Sequence, residues 1–161
     1  VDLGSNLTTL KSEKIKVRID NDMSICRQMR NSLSSNKIVL QLDIAKALSN
    51  TNVSTFNALN LSGNARYAVM TSIIHHLIID YGLNPDIFYK NLSLLYDEIL
   101  LEFPLKEDPM VQLLMRKKNE FIKWDWESNQ LDFCSKYFEI SNQTMLDETR
   151  MAFTLKNRNI K

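Results

Sequence analysis

Apolar residues occupy nearly the whole helical wheel between Ala65 and Tyr81. A helix that is apolar on most of its circumference belongs in the interior of a protein, so this segment is predicted to be a buried central helix. Asn64 before it and Gly82 after it are residues typical of a helix N-cap and of the position that follows a helix C-terminus.

A second apolar stripe begins after Asn84-Pro85, a pair typical of an N-cap followed by the first helical position. Its apolar residues recur every three or four positions, as they do on one face of a helix, at Phe88, Leu92, Leu95, Ile99 and Phe103. Tyr96 and Leu100 widen this stripe. The two helices are therefore expected to pack as an antiparallel hairpin, which ends at Phe103-Pro104 because a residue before proline avoids the helical region.

Further helices are predicted on both sides of this hairpin, in segments where apolar residues follow the helical period. Asp108-Pro109 is a cap followed by a first helical residue, and Thr144-x-x-Asp147 resembles a capping box. The predicted segments run from about Asp20 to Ser34, Ile38 to Leu48, Val53 to Leu61, Asp108 to about Trp126, Ser128 to Ile140, and Thr144 to Phe153. The pattern as a whole predicts an all-α fold, a single-domain bundle of about six to eight helices around the buried segment 65–81.

One segment has the pattern of a strand. Charged and β-branched residues alternate strictly from Lys14 to Ile19, which is typical of a half-buried strand. No second strand is predicted in the chain, so three interpretations stay open: the segment pairs with another chain, begins a helix, or runs extended along the surface.

The composition is that of an ordinary globular domain, with 161 residues, 44% hydrophobic residues, 24% charged residues and a net charge of +1. Three glycines and three prolines allow long uninterrupted elements. We expect residues 1–9 to be a flexible lead-in or residual expression sequence, and residues 10–161 to form one helical domain of a larger protein. The longest apolar run is too short to span a bilayer, so no membrane association is predicted.

The candidates for chemistry are few. His75 and His76 point about 100° apart on a helix and have no further ligands at metal-binding spacing. Cys26 and Cys134 are isolated thiols, which fits a reducing intracellular compartment, the nucleus or the cytoplasm. Since no nucleophile has a neighbouring base and no glycine-rich loop can cradle phosphate, the sequence predicts no enzyme, no cofactor, no metal site and no catalytic residue.

The segment Gln41 to Asn60 resembles the helix-turn-helix of repressors of the lac type, with a first helix, a turn and a second helix beginning at Val53. This resemblance implies that Ser54, Thr55 and Asn57 contact nucleic acid. A DNA-binding domain involved in transcription regulation is therefore the alternative function. Two short amphipathic helices joined by an Asn/Ser turn would produce the same pattern.

A basic run followed by two tryptophans is the candidate docking surface, made of Arg116, Lys117, Lys118, Lys123, Trp124 and Trp126. An exposed tryptophan beside cationic side chains is typical of a site where a protein or peptide binds. A solvated helix face with one tryptophan packed at its end is the other interpretation. The sequence thus predicts a non-enzymatic protein–protein interaction domain of a larger intracellular regulatory protein, with its oligomeric state undefined.

Overall fold

A computed structural model describes residues 16–20, 37–41, 45, 48, 66–118 and 126–159. These residues form both strands and helices. In chain order they are β1 (Lys16–Asp20), β2 (Lys37–Gln41), β3 (Tyr67–Met70), a π-helical segment (His76–Asp80), α1 (Pro85–Leu95), β4 (Glu98–Pro104), α2 (Pro109–Lys118), α3 (Trp126–Tyr137), β5 (Phe138–Met145) and β6 (Arg150–Asn157). The fold is α/β, and the prediction of an all-α bundle is wrong.

Four of the strands form a mixed sheet in the order β3-β4-β6-β5. Strands β3 and β4 are parallel, with Tyr67 opposite Glu98 and Met70 opposite Leu101. Strand β6 runs antiparallel to β4 and also to β5, to which it is joined by a hairpin. The carboxyl ends of β3 and β4 therefore lie at the same edge of this sheet.

Strand β1 has its partner within the same chain. It pairs in parallel with β2, from Lys16 opposite Lys37 to Asp20 opposite Gln41. The predicted strand at Lys14 to Ile19 thus needs no second protein. The helix predicted from Ile38 is wrong at its start, because Lys37–Gln41 is a strand. Ala45 and Leu48 are helical and buried.

Strand β4 occupies the second half of the predicted helix that follows Pro85. Helix α1 ends at Leu95, and Tyr96 is already extended, with φ −129° and ψ 142°. From there burial alternates along the chain: Ile99, Leu101 and Phe103 are buried, whereas Leu100 is exposed. Residues four positions apart share one face in a helix and also in a strand, so Ile99 and Phe103 fit both patterns. The alternation at Leu100 and Leu101 fits only a strand.

The segment predicted as a buried central helix is interior but is not a single helix. It begins with strand β3, in which Ala68 and Met70 are buried, and becomes helical only near Ile74. The exposed fractions of Ile74, Leu77 and Ile78 are 0%, 3% and 4%. A strand and a helix that are covered on both sides have few polar residues, and a buried helix has the same composition. This likeness explains the error.

The chain after Tyr137 forms a hairpin of two strands instead of the predicted last helix. Phe153 and Leu155 of β6 are buried at alternating positions, as a half-buried strand requires. Asp147 does not belong to a capping box: its Oδ1 accepts hydrogen bonds from the backbone N–H of Thr149, at 2.7 Å, and from the Thr149 hydroxyl. These bonds stabilise the turn between β5 and β6.

The predicted helix caps are largely confirmed. Asn84 Oδ1 accepts hydrogen bonds from the N–H groups of Asp86 and Ile87, and Pro85 is the first residue of α1. Gly82 has a φ of +71°, the left-handed conformation expected of a glycine after a helix. Asp108 Oδ1 accepts from Met110 and Val111 at the start of α2.

The interior is built from aromatic and branched side chains of both sheet and helices. Trp126 at the start of α3 is fully buried, stacks on Phe103 with 5.6 Å between ring centroids, and donates from Nε1 to the Pro104 carbonyl at 2.7 Å. This contact fixes α3 against the carboxyl end of β4. In the described parts of the chain, none of the helices has the length and apolar character needed to cross a bilayer.

Candidate functional site

A cluster of polar side chains lies at the carboxyl ends of β3 and β4, where their parallel pairing stops at Met70 and Leu101. It consists of Ser72, His75, Glu102, Asp108 and Arg150. In open α/β sheets, ligands bind in the crevice at the carboxyl ends of the parallel strands. The cluster therefore occupies the edge of the sheet where this architecture places binding sites.

Arg150 joins the cluster together. It is the first residue of β6, opposite Pro104 at the end of β4. Its Nη1 donates to Glu102 Oε1 at 2.6 Å and to Ser72 Oγ at 3.2 Å, and its Nε donates to Asp108 Oδ2 at 2.9 Å. Burial lowers the pKa of Arg150, but its hydrogen bonds to both carboxylates outweigh burial and raise the pKa above the ordinary value. One guanidinium thus links elements that are distant in sequence.

Ser72 has an unusual backbone conformation for a residue with a side chain. Its φ is +52°, and it is the only residue other than glycine with positive φ among those the structure describes. The left-handed conformation costs roughly 1–2 kcal/mol for such a residue. The Ser72 hydroxyl lies 3.1 Å from Glu102 Oε1, to which it donates. Strained residues cluster at functional sites, where the surrounding contacts hold them in place.

His75 is buried, with only 2% of its surface exposed, and the charges of Asp108 and Arg150 both affect its pKa. Burial lowers the pKa of His75 to about 4, with help from His76 and Arg150, while Asp108 opposes the change. The imidazole is consequently neutral at pH 7. Within the described chain, neither His75 Nδ1 nor Thr71 Oγ1 has a hydrogen-bond partner, although both atoms are buried. Buried polar atoms without partners are uncommon in proteins and often mark the place of a ligand or an ordered water.

A metal site is not evident in this region. The rings of His75 and His76 lie 4.3 Å apart at an angle of 40°, so they contact each other. The described residues contain no group of three or more His, Cys, Asp or Glu side chains that could hold a metal ion.

The carboxyl ends of β1 and β2 lie at the same end of this parallel pair of strands. Asp20 is the last residue of β1 and lies opposite Gln41, the last residue of β2. In nucleotide-binding sheets, an acidic residue at the end of a strand hydrogen-bonds the hydroxyls of ribose. Asp20 has the residue type and the strand position for this contact.

The structure separates the predicted docking residues. Arg116, Lys117 and Lys118 are exposed in the last turn of α2, where Lys117 Nζ lies 3.2 Å from Asp80 Oδ1. Trp126 lies in the core instead, away from solvent. Lys123 and Trp124, and the proposed nucleic-acid contacts Ser54, Thr55 and Asn57, lie outside the described residues. Partner binding by the basic turn of α2 stays a prediction.

Sequence reasoning missed the polar cluster entirely. Arg150 is 78 residues from Ser72 and 48 from Glu102, so no local motif connects them. The signal in the sequence is indirect: a polar residue directly follows a short continuous apolar run, at Thr71 after 67–70 and at Glu102 after 99–101. These polar residues indicate a site only if the two apolar runs are interpreted as parallel strands.

Comparison with known proteins identifies relatives only at the level of fold. No protein-family model matches the chain, and no curated protein matches it significantly in sequence. A candidate methyltransferase from Thermobifida fusca YX matches with a TM-score of 0.63 and 16% identity, over 97% of this chain and 71% of that one. The fold is similar to that of methyltransferases.

The bifunctional kinase-methyltransferase WbdD matches with a TM-score of 0.57 and 15% identity. The match covers 88% of this chain but 29% of WbdD. A complex of WbdD with the kinase inhibitor LY294002 matches with a TM-score of 0.50. The chain therefore spans less than a third of WbdD and about seven tenths of the Thermobifida protein.

These matches overturn the function predicted from sequence. A non-enzymatic docking domain of a regulatory protein, and the alternative of a helical DNA-binding domain, both depended on an all-α fold without catalytic equipment. The fold is instead α/β and is shared with proteins described as methyltransferases. The prediction that the chain is not an enzyme is contradicted by the same matches, because the solved structures that share this fold are described as methyltransferases.

Proposed function

We propose that this chain is a methyl-transferring domain whose acceptor binds at the carboxyl ends of β3 and β4. The observation that carries the proposal is the cluster around Arg150, which places strained, buried and charged groups at the ligand-binding edge of a methyltransferase-like sheet. Such groups destabilise a free protein and are retained where they serve a ligand.

The methyl donor of enzymes with this fold is S-adenosylmethionine, which supplies an activated methyl group when bound. Its ribose hydroxyls call for a carboxylate at a strand end, and Asp20 fits that requirement by residue type and by its place at the end of β1. We therefore assign Asp20 to the donor site.

The cluster residues have separate roles in this proposal. Arg150 fixes the carboxylate of Glu102 and the hydroxyl of Ser72, so that neither needs to reorganise when the acceptor arrives. Neutral His75 provides a hydrogen-bonding group without adding positive charge. Holding reactants in a defined geometry can lower a barrier by roughly 7–11 kcal/mol, which makes positioning the main contribution expected from these residues.

Isothermal titration calorimetry with S-adenosylmethionine tests the proposal. We expect binding with one site per chain, weakened about tenfold or more by Asp20→Asn because a hydrogen bond to a charged group is worth about 1.5–3 kcal/mol. Asp132→Asn, at an exposed position of α3, is the matched control and should bind as the unaltered protein does. Absence of binding at millimolar concentrations of the donor would refute the proposal.

A further inference from the structure

The charges of the cluster do not balance. Two carboxylates, Glu102 and Asp108, share the single guanidinium of Arg150. His75 contributes no positive charge at neutral pH, because burial holds its pKa at about 4. Among the described residues of the cluster, one negative charge is left over, and the side chains of Asp108 and Glu102 are only 1% and 13% exposed. Such a charge interacts more strongly than it would in water.

Of the two carboxylates, Glu102 has the oxygen with the weaker existing hydrogen bonds. Asp108 uses Oδ1 for the N–H groups of Met110 and Val111 and Oδ2 for Arg150, so both of its oxygens are engaged. Glu102 Oε1 accepts from Arg150 and Ser72. Glu102 Oε2 has only a long contact of 3.3 Å with the Ser72 hydroxyl. A carboxylate oxygen has about two acceptor sites, so Oε2 has capacity for a donor from a ligand.

His75 supplies an independent sign of a ligand. Only 2% of its surface is exposed, and its Nδ1 has no hydrogen-bond partner in the part of the chain that the structure describes. Its ring is close enough to Asp108 and Arg150 for both charges to act on its titration. An unpaired buried nitrogen costs roughly 1–3 kcal/mol, a cost that a hydrogen-bonding ligand would remove.

We propose that this cluster recognises a positively charged ammonium group of the methyl acceptor, with Glu102 Oε2 as its hydrogen-bond acceptor; because an ammonium nitrogen has no free electron pair, the methyl group goes to a different atom of the acceptor. The inference rests on the proposed function, and it adds the chemical class of the acceptor. An ammonium group offers several N–H donors and a positive charge, so it satisfies both the spare oxygen of Glu102 and the surplus negative charge of the cluster. A carboxylate or phosphate would be repelled by the same charge.

Three probes of matched shape and different charge test this inference: benzylamine, benzyl alcohol and benzoate. Ligand-observed NMR titrations at pH 7.5 measure their affinities for the unaltered protein. We expect benzylamine to bind about tenfold more tightly than benzyl alcohol, and benzoate to bind more weakly than both, because a hydrogen bond to a charged group is worth about 1.5–3 kcal/mol.

The variant Glu102→Gln removes the charge and keeps the shape of the side chain. It should lower benzylamine affinity about tenfold and leave benzyl alcohol unchanged, since only the charged probe gains from the carboxylate. Glu98→Gln makes the same chemical change at the other end of β4 and should affect neither probe. Circular dichroism measures whether each variant is folded. If Glu102→Gln does not fold, the comparison of the three probes on the unaltered protein tests the preference for an amine by itself.

Benzoate binding as tightly as benzylamine, no measurable benzylamine binding, or benzylamine binding unchanged in folded Glu102→Gln would each overturn the inference. Donor calorimetry separates this failure from that of the proposed function. Binding of S-adenosylmethionine without a preference for benzylamine removes only the amine assignment. A benzylamine preference without donor binding removes the methyltransferase proposal and leaves an amine-binding site.

Discussion

At the scale of single residues, Arg150 has more side-chain partners than any other residue of the candidate site. It contacts Glu102, Asp108 and Ser72, which come from a strand, a helix cap and a strained loop. Removing one partner of a buried ion pair leaves an uncompensated charge, and that loss is larger than the net value of the pair itself. Arg150 is consequently expected to matter for stability as well as for the geometry of the site.

Arg150→Met should lower the free energy of unfolding by about 3 kcal/mol, because Asp108 and Glu102 would both lose their counter-ion. Urea denaturation measures this change. Arg66→Met is the matched control: Arg66 pairs with Asp97 at the surface, where an ion pair is worth less than about 1 kcal/mol. Equal changes in the free energy of unfolding for the two substitutions would show that the ion pairs of Arg150 contribute no more to stability than a surface pair.

His75 should make the protein less stable in mild acid. Its pKa is about 4 in the folded protein and 6.5 as its ordinary value, so the unfolded chain binds a proton first as pH falls from 7 to 4. Between pH 7.5 and pH 5 this difference should cost about 2 kcal/mol. Urea denaturation at the two pH values measures it. His75→Gln should remove this part of the pH dependence, whereas His76→Gln should leave most of it, because burial is the largest cause of the lowered pKa of His75. The opposite outcome would contradict the assignment.

Helix-capping residues could be predicted from the sequence, whereas long-range side-chain contacts could not. Asn84, Gly82 and Asp108 were assigned correctly as capping or helix-ending residues, because those roles depend on neighbours within three or four positions. The contacts of Arg150 depend on which strands are adjacent in the sheet. That information is not present in any short window of sequence.

At the scale of elements, the main error was the interpretation of strands as helices. Leu95, Ile99 and Phe103 are four residues apart, a spacing that suits one face of either element. The residues that distinguish the two lie between them. Leu100 belongs to the apolar stripe of the predicted helix but is 43% exposed, whereas Leu101 lies outside that stripe and is buried.

Two leucine substitutions can therefore distinguish the strand from the helix. Leu101→Ala should lower the free energy of unfolding by about 2–5 kcal/mol, because it opens a cavity in the core. Leu100→Ala should change it by about 0.5 kcal/mol or less, since a surface substitution loses little packing. Thermal or urea unfolding of the pair measures both values. A larger effect at Leu100 than at Leu101 would contradict strand β4.

At the scale of the whole molecule, the sheet brings residues together that are far apart in the sequence. Parallel strands β3 and β4 end at the same edge, and the antiparallel strand β6 begins there with Arg150. The two short polar segments that follow β3 and β4 thus meet beside the guanidinium. The sequence indicated a single globular domain, but the order and direction of strands are long-range properties, so neither the α/β fold nor the site could be derived from local periodicity.

The same arrangement explains why an apparent lack of catalytic motifs misled the functional interpretation. Sites at the carboxyl edge of an α/β sheet take single residues from several strand ends, and no two of them need a fixed spacing. Asp20 and Glu102 each end or nearly end a parallel strand. A whole-molecule test must therefore locate ligand binding at strand ends, not at one segment.

The most direct measurement is an amide chemical-shift map by NMR while S-adenosylhomocysteine, the demethylated form of the donor, is titrated into the protein. We expect the largest shifts at the carboxyl ends of the parallel strands, around Asp20 and Gln41 and over 71–75, with little change along the exposed strand β5. Shifts confined to β5 or to the basic turn at Arg116 to Lys118, or no shifts at saturating ligand, would contradict it.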